Sequence, residues 1–118
     1  MPGMSIHVVD VSRGVVATGM RIEVFATSPA RRALADGRIG ARGLLEHPAL
    51  ADTFAAAEYE AVFHVADYYR SVGLTLPVPP FLTVVTYRFG LAEPKQHYHL
   101  PFKCTPWGYS CFRGGGAG

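Results

Sequence analysis

Short runs of strictly alternating apolar and polar residues, each closed by proline or glycine, are the feature that most narrows what this chain can fold into. Successive strand residues point to opposite sides, so a period of two marks a half-buried strand. The pattern is sharpest near the C-terminus, in Gln96-His-Tyr-His-Leu-Pro-Phe-Lys-Cys104. There Tyr98, Leu100, Phe102 and Cys104 share one face, and His97, His99, Pro101 and Lys103 share the other. Thr105-Pro106-Trp107-Gly108 reads as a tight turn, because proline presets φ early in a turn and glycine suits its exit, so a terminal hairpin is expected. Both histidines then face away from the core. A structural account leaves them in water, whereas a functional one puts them in a site where another subunit packs; periodicity alone favours the first.

The rest of the chain divides into similar pieces. Met4 to Val11 reads as a strand with Ile6 and Val8 on one side and His7 and Val9 on the other, followed by a turn at Ser12-Arg13-Gly14. Met20, Ile22 and Val24 alternate with Arg21, Glu23 and Phe25 in a second strand. Thr27-Ser28-Pro29 breaks it, and a shorter strand over Arg31 to Ala35 is expected before a two-residue turn at Asp36-Gly37, which leaves Arg38 on or beside a loop. Gly40 to Ala57 reads as a short strand plus irregular chain anchored by Leu44, Leu45 and Leu50, with room for a helical turn between Pro48 and Phe54. Glu58 to Val65 is a clear strand. A short helix over Ala66 to Val72 follows, with Asp67 near its start and Gly73 as its stop. Three prolines in Leu76-Pro-Val-Pro-Pro80 make that run an extended connector, and Phe81 to Phe89 is the last strand before the hairpin. Seven or eight short strands and one small helix predict an all-β, two-sheet antiparallel sandwich in one domain, 1–118, with 116–118 as a flexible tail.

Several function classes fall away. The net charge is +2 and the eleven Lys and Arg are scattered, so nucleic acid is not an expected partner. No apolar run approaches a membrane span and no charged-then-apolar leader opens the chain, so a soluble, cytoplasmic protein is expected. Cys104 and Cys111 lie on the two arms of the hairpin, where a disulfide is possible; reduced thiols acting as small apolar residues are the favoured reading in a cytosolic setting. Their spacing does not match a zinc site. Phosphate-binding glycine loops, the Gly-x-Ser-x-Gly elbow and His-Glu-x-x-His are all missing.

Four sets of residues, in order along the chain, carry a resemblance. These are Ile6-His-Val-Val-Asp10; Ala35-Asp-Gly-Arg38; Tyr59 to Gly73 with Pro79-Pro80-Phe81 and the Val-Thr-Tyr-Arg-Phe that follows; and the terminal runs His97-Tyr-His-Leu-Pro101, Pro106-Trp-Gly-Tyr-Ser110 and Phe112-Arg-Gly-Gly115. Together they resemble the transthyretin-related 5-hydroxyisourate hydrolases. The terminus departs from the pattern, since that family ends in Tyr-Arg-Gly-Ser and this chain has Phe112 and Gly115 in place of the Tyr and Ser, followed by three more residues.

The resemblance implies a transthyretin-like sandwich, a homotetramer with sites at a subunit interface, and ring opening of 5-hydroxyisourate to 2-oxo-4-hydroxy-4-carboxy-5-ureidoimidazoline without metal or organic cofactor. It also implies catalytic roles for His7, Arg38 and His99, with Phe112, Arg113, Gly114 and Gly115 lining the substrate. The residue types suit that chemistry. Opening a cyclic amide needs an activated water, a stabilised oxyanion and a proton for the leaving nitrogen. Histidine, with a reference pKa of about 6.5, moves protons near neutrality, and arginine is a permanent cation with a planar donor fork. His97 is left outside the catalytic set, and His47 and His64 are expected at the surface. The alternatives are a non-catalytic small-ligand binder on the same fold and a plain interaction module.

Overall fold

The structure, a computed structural model, describes residues 2–115; the tail expected at 116–118 lies outside them. Two four-stranded sheets pack face to face. The first has the order β2-β1-β7-β8, built from β1 (Met4–Asp10), β2 (Val15–Val16), β7 (Tyr98–Thr105) and β8 (Gly108–Cys111). The second has the order β4-β3-β5-β6, built from β3 (Arg21–Ala26), β4 (Arg32–Arg38), β5 (Ala57–Phe63) and β6 (Val85–Leu91). One short helix, α1 (Val65–Ser71), joins β5 to the segment before β6.

Alternation decides which side of each strand is inside. Along β1 the side chains of Met4, Ile6, Val8 and Asp10 are buried while those between are half-exposed, and β7 buries Tyr98, Leu100, Phe102 and Cys104 in the same way. From the other sheet Ile22, Val24, Ala61 and Phe63 face them. The rings of Phe63 and Phe102 stack between the sheets, with centroids 3.9 Å apart. Each such large side chain contributes about 1.5–3 kcal/mol on burial, which makes this interlayer seam the main source of stability.

All neighbouring strands are antiparallel except β1 and β7, which run parallel with Ser5 opposite His99 and His7 opposite Pro101. These two strands are far apart in sequence, so no hairpin constrains their direction. Two further local expectations change. β4 continues through Asp36 and Gly37, pairing with Glu23 and Ile22, instead of turning there. Arg21 holds this register by donating from Nε and Nη2 to the two Asp36 carboxylate oxygens at 2.9 and 2.8 Å. The sharp turn lies further on, at Gly43, whose φ of +82° is the left-handed conformation only glycine adopts cheaply. The strand before the terminal hairpin, β6, starts at Val85, not Phe81, because the preceding segment bonds to the start of the helix: Ala66 N–H donates to Thr83 O at 3.0 Å. Between Gly40 and Ala57 the chain forms a 3-10 turn over Pro48–Ala51, with Nδ1 of His47 accepting from Ala49 N–H, and isolated bridges pair Leu44 with His7 and Leu45 with Ile39.

Helix α1 is pinned by a buried carboxylate. Asp10 is fully buried and accepts hydrogen bonds from Tyr69 at 2.7 Å, Tyr68 at 3.0 Å and Ser12 at 2.6 Å. The two tyrosines thus pack the helix on the sheet. His64, expected at the surface, is instead half-buried before α1, with Nε2 2.7 Å from a Glu23 carboxylate oxygen. The thiols of Cys104 and Cys111 are free, and the hairpin register explains why: Cys104 pairs with Tyr109 and Cys111 with Phe102. Burial raises both, Cys104 to about 11 and Cys111 to about 12, so neither is a reactive thiolate at neutral pH. Among the described residues no helix is long and apolar enough to cross a membrane.

Candidate active site

The parallel pairing of β1 and β7 gathers the outward residues of both strands into one patch. Ser5 and His7 alternate on β1, His99 lies on β7 and His97 just before its first residue, all on the face away from the core and all half-buried. Residues from the N-terminal strand and the last third of the chain therefore meet. The centre of the patch is Ser5, whose Oγ lies 2.6 Å from Nδ1 of His99 and 2.8 Å from Nε2 of His97. Nδ1 of His97 in turn lies 3.4 Å from the carbonyl oxygen of Pro2.

Two backbone segments close over the histidines. Gly43 is buried against His7, and a Cβ built on it would come within 2.6 Å of His7 Nε2. Val8 N–H donates to Gly43 O at 2.9 Å, which ties this loop to β1. On the other side the chain beyond β8 returns along β7, where Gly114 N–H donates to the His99 carbonyl at 2.7 Å. A Cβ on Gly114 would lie 2.6 Å from Cδ2 of His99. Glycine at both places permits the close approach of main chain to imidazole.

Electrostatics favour a neutral His99. Its pKa is lowered, first by desolvation and then by the charges that His7 and His97 carry when protonated. Around this patch Arg113 places its guanidinium 3.9 Å over the Tyr98 ring and donates to Gln96 Oε1 at 3.0 Å. Phe112 is exposed, with Lys103 Nζ 5.9 Å from its ring centre, and Gly115 has open space around it. A groove of roughly 470 Å³ runs from His97 past Pro2 and Leu44 to Arg42 and His47.

Of the residues singled out from sequence, the fold brings His7, His99 and Gly114 together, with Arg113 at the edge. Arg38 is placed elsewhere in the chain. It ends β4 in the second sheet, donates to the Gly19 carbonyl at 3.0 Å, and lines a small groove with Arg21, Asp67, Tyr68 and Ser71 that neither histidine enters. The residue across from His7 is Leu44, which follows the turning glycine, and the guanidinium on that loop belongs to Arg42. Ser5 and Arg42 were not found from sequence. Ser5 has the parity of His7 and would have been legible from the alternation of β1; Arg42 has no such signal, because its loop has no period. Among the described residues no group of three or more His, Cys, Asp and Glu is arranged to hold a metal ion.

Comparison with known proteins adds a frame for this geometry. A family model described as HIUase/Transthyretin family matches residues 4–114. The chain is 38% identical over 113 residues to a protein of Rhizobium meliloti (strain 1021) named 5-hydroxyisourate hydrolase 2, covering 94% of each chain. Its structure superposes on Klebsiella pneumoniae 5-hydroxyisourate hydrolase with a TM-score of 0.80 and 25% identity, covering 98% of this chain and all of that one. It also matches a crystal structure of (S)-allantoin synthase with a TM-score of 0.88 and 33% identity, covering 96% of this chain but 43% of that one.

Proposed function

The chain belongs to the HIUase/Transthyretin family, and from that premise we propose that it is a hydrolase that opens the ring of 5-hydroxyisourate. The single observation that carries this reading is the convergence of His7 and His99 on one outward patch, under the Gly43 loop and the terminal strap.

The chemistry follows from the groups present. His99, held neutral by its surroundings, accepts a proton from a water as that oxygen adds to the amide carbonyl. The carbonyl becomes an oxyanion, the carbon–nitrogen bond then breaks, and the leaving nitrogen takes the proton. His7, on the neighbouring strand, is the second group able to pass it. Arg42, in the groove that His97 enters, and Arg113, next to Gly114 in the chain, supply positive charge for an anionic, carbonyl-rich ring. Arg38, which the family resemblance groups with the histidines, remains the residue to be tested against Arg42. The family resemblance places Phe112, Gly114 and Gly115 against the substrate; without the family's Tyr and Ser hydroxyls, substrate orientation rests more heavily on the arginines and on main-chain amides.

The assembly is part of the proposal. A homotetramer fits the exposed aromatic side chains of Trp107, Tyr109 and Phe112 at the β8 edge, which a neighbouring copy would cover while completing the site. A cytoplasmic location fits two cysteines left unpaired.

A second reading, a non-catalytic small-ligand binder, is favoured by one observation: an apolar residue, Leu44, stands across from His7. Purified protein added to freshly made 5-hydroxyisourate separates the two. Hydrolysis predicts faster loss of its ultraviolet absorbance, and a binder leaves the spontaneous rate unchanged.

A further inference from the structure

A chain of hydrogen bonds runs along the histidine patch, and one end of it has a fixed direction. The Pro2 carbonyl can only accept, so the proton between it and His97 sits on His97 Nδ1. A neutral imidazole carries one N–H, so Nε2 of His97 is a bare acceptor and takes the hydroxyl proton of Ser5. Ser5 has no second proton to give. Toward His99 its oxygen therefore accepts, and the proton in that 2.6 Å contact resides on His99 Nδ1. What is left on His99 is a lone pair at Nε2, on the ring edge beside Cδ2 where the Gly114 strap packs. The opposite arrangement would set a bare His97 Nδ1 against the Pro2 carbonyl oxygen, lone pair to lone pair.

We propose that Ser5 is a positioning residue for His99: with His97 and the Pro2 carbonyl it holds the His99 proton on Nδ1 and reserves Nε2 as the base that faces the hydrolytic water. The catalytic part of this inference rests on the hydrolase reading above; the tautomer does not. Ser5 sits opposite His99 in the parallel register, so its role is built into the pairing of β1 with β7. An acceptor of fixed direction beyond an imidazole is a general means of fixing its tautomer.

Long-range proton–nitrogen correlation spectra of the full, nitrogen-15-labelled chain at pH 8 test it without substrate. The expected spectrum has a protonated, pyrrole-type Nδ1 and a pyridine-type Nε2 for His99. Ser5→Ala should move the His99 population toward the Nε2–H form and lower kcat for 5-hydroxyisourate by about tenfold, the equivalent of one lost hydrogen bond, and Ser5→Thr should restore both. A wild-type His99 protonated at Nε2 overturns the proposal even if Ser5→Ala fails to fold, and so does an unchanged tautomer in a folded Ser5→Ala. Wild-type protein with the expected tautomer but no hydrolysis defeats the hydrolase reading and the catalytic clause, while the tautomer assignment stands.

Discussion

Gly114 lies so close to His99 that its missing side chain is a structural requirement: its amide donates to the His99 carbonyl at 2.7 Å, and a Cβ would fall 2.6 Å from the imidazole Cδ2. Backbone at this distance fixes the edge of the ring that carries Nε2. Gly114→Ala must therefore displace either the strap or the imidazole. Activity toward 5-hydroxyisourate should fall by roughly tenfold or more, since small misplacements of a catalytic group are costly. Thermal stability should change little, because the strap is at the surface. Full activity in Gly114→Ala would show that His99 does not need the strap.

The acid limb of the activity profile should lie below the ordinary histidine value. Desolvation, with the His7 and His97 charges behind it, lowers the His99 pKa, so the base stays neutral to a lower pH than a free imidazole would. As pH falls through that lowered value His99 becomes protonated and the rate should drop. The same shift implies that folded protein binds fewer protons at His99 than the unfolded chain does between about 6.5 and the folded value, so this group's contribution to stability is lost across that window as pH falls. A rate profile from pH 4 to 9 checks the first point; a limb at or above about 6.5 contradicts it.

The two arginines separate by position. Arg42 lines the groove that His97 enters, whereas Arg38 is bonded to the Gly19 carbonyl beside α1. Arg42→Ala should lower kcat/KM by more than about tenfold, in keeping with a lost charge-assisted contact of about 1.5–3 kcal/mol, and should do so by more than Arg38→Ala. Steady-state kinetics of both variants decide it. The reverse order would mean that Arg38 reaches the histidines of another copy.

Asp10 is the stability counterpart of these functional groups. Burial alone would raise its pKa, but hydrogen bonds from Ser12, Tyr69, Tyr68 and the Arg13 amide outweigh that and lower it. A carboxylate depressed in the folded state contributes stability above its unfolded value of about 3.9, and that contribution is lost as pH falls through the folded one. Asp10→Asn, which turns an acceptor toward donors into a partial donor, should cost about 1–3 kcal/mol at pH 7 and less near pH 3. Denaturant melts at the two pH values measure this; an equal cost at both would show that the charge is not what holds the helix.

The elements whose side chains alternate were legible in the sequence: β1, β3 and β7 bury the faces that their period of two marks, whereas β5 buries Tyr59, Ala61 and Phe63 as marked but also Glu60 and Val62 on its other face. What failed was reading pairs of residues out of context. Asp36-Gly37 has turn chemistry, yet Arg21 on the neighbouring strand draws Asp36 into the sheet. Phe81 begins an apolar run, but the proline connector and the helix start claim the residues before Val85. The same limit applied to the site. His7 and His99 were singled out by the family resemblance; their outward parity on β1 and β7 alone left them in water. Arg42 and the place of Leu44 across from His7 were missed because only tertiary structure brings an aperiodic loop against β1, and the parallel direction of β1 and β7 is likewise set by packing between segments that the sequence does not connect.

Loss of 5-hydroxyisourate, followed by ultraviolet absorbance with equal amounts of wild-type and His99→Ala protein, tests the central assignment most directly. The wild-type chain should accelerate the decay well above the spontaneous rate, and His99→Ala, still folded, should lose most of that acceleration. A wild-type rate no faster than buffer, or a His99→Ala rate equal to wild type, would contradict the assignment of this histidine patch as a hydrolytic site.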